Sequence, residues 1–167
     1  MHMTGCYSDE SKQMISLLEK RIESLTAELK DTLVIITADH GLIDSKCVCI
    51  KDYPKIMNCL KRNPTIEPRA LNLFVKEERI DEFKKEFTKE FGDKFLLLPK
   101  EEVIEMKLFG FGKEHKDFRD MLGDYLAVAI GDLSIFNIAE KAERFISVHG
   151  GLTKDEMIIP LIIVEKE

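Results

Sequence analysis

The chain has 167 residues, enough to bury a core without disulfide or metal staples. Its 25 Lys and Arg against 31 Asp and Glu leave a net charge of −6, which excludes a general nucleic-acid binder built on a basic stripe. With 44% apolar and 34% charged residues, and no apolar run of membrane-spanning length, it is neither wholly disordered nor organised around a transmembrane helix.

Met1–Lys12 has no basic stretch followed by an apolar one, so no secretory signal is read there. Cys6, Cys47, Cys49 and Cys59 form no paired C-x-x-C knuckles, and they read as reduced thiols of a cytoplasmic protein. Ser8 to Lys30 is predicted as a helix: Ser8 is the N-cap, with Asp9 and Glu10 in the first turn. Met14, Leu18, Ile22, Leu25 and Leu29 recur every three or four residues, an apolar face expected to cover a sheet. Leu33-Val34-Ile35-Ile36 is an unbroken, β-branched run of the kind buried on both faces of a parallel sheet. It ends in Thr37-Ala38-Asp39-His40-Gly41, at the carboxyl end of the strand, where open α/β sheets carry their ligands.

Lys46–Ile50 is a further strand and Tyr53–Arg62 a short helix, followed by a proline-marked linker, Asn63–Pro68. A strand at Arg69–Lys76, a helix at Glu78–Phe91, a strand at Phe95–Leu98 and a helix from Pro99 to Leu108 make a β-α-β-α lobe. Its Phe83, Phe87 and Phe91 stripe reads as core rather than as a base-stacking platform. Phe109-Gly110-Phe111-Gly112 lacks the lysine and the strand-to-helix setting of a phosphate-binding loop. Phe118–Leu122 is a helical turn and Tyr125–Ile130 a strand. Val148–Thr153 is a loop whose Thr153 caps a turn with Glu156, and Leu161–Glu165 is the last strand.

The residues able to carry chemistry are few. Of the four histidines, His40 follows Asp39, and His149 precedes Gly150 and Gly151. Asp and His are the O and N ligands of zinc and manganese, and neighbouring ligands at a turning strand end can reach one ion. Read locally, both motifs also fit a capped turn or a glycine loop with a solvated imidazole. His2 reads locally as a terminal residue and His115, between Glu114 and Lys116, as a surface one.

Asp31–Gly41, a strand ending in Thr-Ala-Asp-His-Gly, resembles the S/T-x-D-H-G motif of the alkaline phosphatase superfamily, nearest to its type I phosphodiesterase/nucleotide pyrophosphatase branch. Val148–Val164, reading V-H-G-G-L-T-K-D-E-M-I-I-P-L-I-I-V, resembles the closing H-G-G and E-M-x-x-P-L motif of that superfamily. Met1–Gly5 is similar to the tail of the family's P-D-x-x-x-H element. Phe109–Asp124 is similar to a segment preceding its last core strands, and packing is the role read for it.

The resemblance implies an α/β fold. The expected architecture is a partial alkaline-phosphatase-like core, a mostly parallel sheet flanked by helices, made of residues 1–62 and 109–167. Residues 63–108 form the inserted lobe. It further implies a two-metal phosphoester hydrolase with Asp39 and His40 on one metal, His149 and His2 on the other, and zinc or manganese as the ions. The substrate expected is a phosphate ester or nucleotide-like small molecule, with no nucleic acid and no membrane as partner. The family's nucleophile and opening Asp ligand match no position in the chain. The chain is therefore expected to correspond to the C-terminal portion of a longer enzyme, to be inactive alone, to hold metal weakly and to self-associate through an exposed sheet edge. The alternatives are a non-enzymatic binding module that keeps the fold, or a phosphomutase or sulfatase of the same superfamily.

Overall fold

Apolar patterning accounts for most of the elements. The computed structural model describes residues 1–166. In chain order these are α1 (Asp9–Ala27), β1 (Thr32–Thr37), β2 (Ile43–Asp44), β3 (Lys46–Cys49), α2 (Pro54–Met57), β4 (Thr65–Glu67), β5 (Ala70–Leu73), α3 (Ile80–Phe91) and β6 (Phe95–Pro99). There follow α4 (Lys100–Glu105), α5 (Phe118–Met121), β7 (Tyr125–Ala129), β8 (Leu133–Phe136), α6 (Ala139–Arg144), β9 (Ser147–Val148), α7 (Lys154–Met157) and β10 (Leu161–Lys166). Ser8 caps α1 by accepting from the Ser11 amide, and Thr153 with Glu156 closes a capping box on α7. The helix expected over Tyr53–Arg62 shrinks to α2, because the chain bends back to bury Cys59 and Leu60, the latter bridged to Val75.

The architecture is mixed α/β with several open sheets. The largest is β4-β5-β7-β6, antiparallel throughout, and β1 pairs with β10, β2 with β9 and β3 with β8. Among the described residues only the β3–β8 pairing is parallel. The expectation of a mostly parallel sheet flanked by helices is corrected accordingly. The unbroken apolar runs of β1 and β10 face each other as an antiparallel ribbon, Thr37 opposite Leu161 and Ile35 opposite Ile163. Leu33, Ile35, Leu161, Ile162 and Ile163 are exposed, so the ribbon is not covered on both faces by the described chain. Nor does α1 cover a sheet: only Ser11 and Thr26 are buried in it, and Met14, Leu18 and Leu25 are exposed.

The core lies elsewhere. Phe83, Phe87 and Phe91 of α3 are fully buried against Leu71 and Leu73 of β5, Phe95 of β6 and Ala127 and Ala129 of β7. Each such ring contributes about 1.5–3 kcal/mol by leaving water. Tyr125–Ala129 completes this sheet between β5 and β6, so the lobe's strands and β7 share one ladder. The Arg119–Asp124 segment is fixed to β5 and the residues after it: the Asn72 side chain bonds Met121 and Gly123, and the Val75 amide donates to Asp124 at 2.7 Å. Among the described residues no helix is long and apolar enough to cross a membrane.

Candidate metal and phosphate site

Three separate stretches of chain meet at one edge of the fold: the first five residues, the turn leaving β1, and the loop leaving β9. The β1 ribbon delivers Asp39 and His40 to this edge. Gly41 follows because nothing larger fits: a Cβ there would lie 1.8 Å from the Asp155 carbonyl oxygen, while its amide donates to the Glu156 carbonyl at 2.9 Å. The β1 exit is thereby stitched to α7, next to the loop that carries His149.

That loop is held by a buried ion pair. Arg69 enters from the tight turn between β4 and β5 and is fully buried. It donates to both oxygens of Glu156, at 2.6 and 2.7 Å, and to the carbonyls of Leu133 and Gly131. Glu156 also accepts from the Gly151 amide at 2.8 Å and the Thr153 hydroxyl at 2.6 Å. Burial pushes its carboxyl up, but the Arg69, Thr153 and Gly151 hydrogen bonds outweigh this and hold it below the usual carboxylate range. Gly151 is needed for closeness, since a Cβ would sit 2.8 Å from both the Ala129 carbonyl and Glu156 Oε2.

The N-terminal stretch is anchored as well. The His2 carbonyl accepts from the Ile146 amide at 2.8 Å, and Asp44 accepts from the Ser147 hydroxyl and the Cys6 amide. His2 is thus part of the fold and not a frayed end.

The four residues expected as ligands are brought together. The His40 and His149 rings stack with centroids 3.8 Å apart, and His2 lies 5.4 Å from His149. His2 Nδ1 faces the Ser147 carbonyl at 2.6 Å and His40 Nδ1 faces the Gly41 carbonyl at 2.8 Å. A ring nitrogen facing a carbonyl carries a proton, so in the neutral form of both residues Nε2 has the lone pair. Metal-bound histidines are oriented in the same way, by a backbone carbonyl on the far nitrogen. His40 Nε2 also lies 3.6 Å from Asp39 Oδ2, so in the neutral histidine two acceptors stand side by side where a cation would relieve their repulsion. Burial, then the neighbouring His40, lowers the pKa of His149, which keeps it neutral and available as a ligand at pH 7.

The donor chemistry therefore fits a divalent ion, although among the described residues no group of three His, Cys, Asp or Glu side chains converges on a point. His115 is apart from this cluster, exposed beside Asp117.

Sequence reasoning missed Arg69 and Glu67. The Thr153-x-x-Glu156 capping signal marked Glu156, but nothing marked a partner 87 positions away. Glu67, on the β4–β5 hairpin, approaches Gly150 and counters the lowering of the His149 pKa.

No protein-family model matches the chain, and no curated protein matches it in sequence. Solved structures do. Human ectonucleotide pyrophosphatase/phosphodiesterase 5 superimposes with a TM-score of 0.71 at 19% identity, over 97% of this chain and 43% of that one. An inactive form of the murine protein in complex with AMP gives 0.67 at 18% identity, over 96% and 42%. Phosphonoacetate hydrolase from Sinorhizobium meliloti 1021 in complex with phosphonoformate gives 0.64 at 14% identity, over 97% and 42%. The chain thus spans less than half the length of these proteins, and its fold is like that of a part of them.

Proposed function

We propose that this chain supplies part of the metal and substrate site of a two-metal phosphoester hydrolase of the phosphodiesterase/nucleotide pyrophosphatase type. The observation that carries this reading is the cluster itself. His2 and His40 are oriented by backbone carbonyls on Nδ1, His149 stacks on His40 with His2 tilted 5.4 Å away, and Asp39 stands against His40. His149 and His2 hold one metal, and Asp39 and His40 the other, with zinc or manganese suited to this O and N donor set. Such a metal pair, when bound, supplies a clamp on the attacking and leaving oxygens at phosphorus. The chain's own residues bind and orient: Arg69 and Glu156 fix the His149 loop, and Gly41 lets the Asp39–His40 turn sit against α7.

The AMP held by the murine neighbour supports a nucleotide-like phosphate ester as substrate class. Segment 63–108 acts as a substrate-facing lobe, supported by the approach of Glu67 to the His149 loop. The 167-residue chain alone is inactive, because each metal has two ligands here where catalytic zinc uses three, and no residue answers to a nucleophile. Four unpaired thiols support a reducing, cytoplasmic setting.

Zinc titration by calorimetry tests the reading. We expect weak binding that His149→Ala abolishes and that His115→Ala leaves unchanged. A wild-type chain that takes up no zinc overturns it. Metal-dependent hydrolysis of bis(4-nitrophenyl) phosphate by the chain, lost in His40→Ala, overturns the inactivity.

A further inference from the structure

Three histidines meet at the site, and two of them are oriented. His2 and His40 each set Nδ1 against a backbone carbonyl. His149 differs: among the described residues neither of its ring nitrogens has a hydrogen-bond partner, and its ring is placed by stacking on His40. A neutral imidazole exists as two tautomers, and a given ion is met by a lone pair in one of them alone.

The carboxylate able to choose between them is Glu67. It stands on β4 and lies against Gly150, the neighbour of His149: a Cβ on Gly150 would be 3.4 Å from Glu67 Cβ and 3.7 Å from Cγ. Gly150 is also held at φ 102°, so glycine suits the position twice over. Glu67 and His149 open onto the same cavity, of about 370 Å³, and the Glu67 charge acts on His149 more strongly than that of Asp39 does. Among the described residues Glu67 takes part in no ion pair, whereas Asp39 is already set against His40.

The buried ion pair fixes this placement. Arg69 follows Glu67 by two positions, and Gly151 follows His149 by two. Glu156 bonds both, accepting from the Arg69 guanidinium and from the Gly151 amide. Hairpin and loop are thereby held in one register, with Glu67 beside the loop that carries His149.

We propose that Glu67 is a positioning residue for His149, its carboxylate accepting from one ring nitrogen so that the other presents its lone pair to a metal ion. Glu67 is exposed, and rotation of its outer torsions, fast for an exposed side chain, closes the bond. Carboxylates orient metal-bound histidines in this way, and loss of one costs about 10–100-fold in metal affinity. That the ion belongs to a catalytic pair rests on the function proposed above. The Glu67–His149 bond does not, since it needs no metal.

The test is nuclear magnetic resonance of the full chain with isotope-labelled histidine, in chelator, at a pH where the ring is neutral. The His149 signals are those missing from His149→Gln. We expect the tautomer ratio of His149 to differ about fivefold between the wild-type chain and Glu67→Ala, the size of one net hydrogen bond. Glu67→Gln, whose side-chain carbonyl still accepts, should keep the wild-type ratio. Zinc titrated into the same chains should bind Glu67→Ala about tenfold more weakly than wild type, with most of the loss restored in Glu67→Gln. An unchanged ratio in Glu67→Ala overturns the proposal. So does a Glu67→Gln chain that behaves as Glu67→Ala, which would mean that Glu67 acts by its charge or by binding the ion itself. A ratio set by Glu67 in a chain that takes up no zinc leaves the Glu67–His149 bond standing and overturns the phosphoester reading.

Discussion

Arg69 and Glu156 carry more of the site than their distance from any ligand suggests. Both are buried, and together they bind the hairpin of one sheet to the loop that presents His149. Removing one partner strands the other charge in a dry environment, so Arg69→Met should cost about 3–5 kcal/mol in urea unfolding. The double change Arg69→Met with Glu156→Leu should recover much of that, because no uncompensated charge is left. The same pair dictates an acid response. The Glu156 carboxyl titrates below its ordinary value of 4.5, so its contribution is complete above that pH and is lost as the pH falls through the depressed value. Unfolding midpoints followed from pH 7 to pH 3 should fall for the wild-type chain, and the double variant should lose the part due to this pair.

At this scale the sequence was only partly legible. Asp39, His40 and His149 stand in short motifs, whereas Arg69 sits in an unremarkable Glu-Pro-Arg-Ala turn. Its role comes from an approach between residues 87 positions apart, and no local pattern encodes that. Glu67 was hidden for the same reason: it acquires meaning from the loop it faces.

At the scale of elements, α1 and α3 present similar patterns and opposite outcomes. Both carry apolar residues at helical spacing. In α3 the stripe is closed: Phe87 is 0% exposed, wedged between Phe83, Phe91 and Phe95. In α1 it is open, with Leu18 57% exposed. Periodicity reports that a face exists, and it does not report what covers it. The two helices should therefore respond differently to the same kind of change. Phe87→Ala should cost about 3–5 kcal/mol, a buried ring with a cavity left behind. Leu18→Gln should stay within about 0.5 kcal/mol, as exposed positions do. Urea unfolding of the two variants checks the contrast, and equal losses would mean that α1 is packed in solution. The strand β8 escaped notice for a related reason: Leu-Ser-Ile-Phe is short and is interrupted by a polar residue at its second position. Its Ser134 is nonetheless buried, because its hydroxyl pairs with that of Ser45 at 2.7 Å.

For the molecule as a whole, the uncovered surfaces belong together. The β1–β10 ribbon has an open edge on each side, and α1 adds a further apolar stripe. Ile35 and Ile163 are 58% and 59% exposed and lie opposite each other in the ladder, so the apolar surface is contiguous rather than scattered. Contiguous apolar surface beside unpaired strand edges drives association, since a second strand satisfies the edge and a second face removes the apolar area from water. The chain of 19.2 kDa should accordingly sediment as a dimer or larger at micromolar concentrations. Because the driving force is apolar, added salt should not dissociate it, in contrast to an assembly held by surface charges. Ile35→Lys with Ile163→Lys places two cations on that face and should return a monomer with an unchanged far-ultraviolet spectrum. Phe111→Ser, at an exposed aromatic away from the ribbon, should leave the mass as it is. A wild-type chain that sediments as a monomer would show that this face is covered from within the chain, by a repositioned α1, and would locate the loss of Leu18 exposure there.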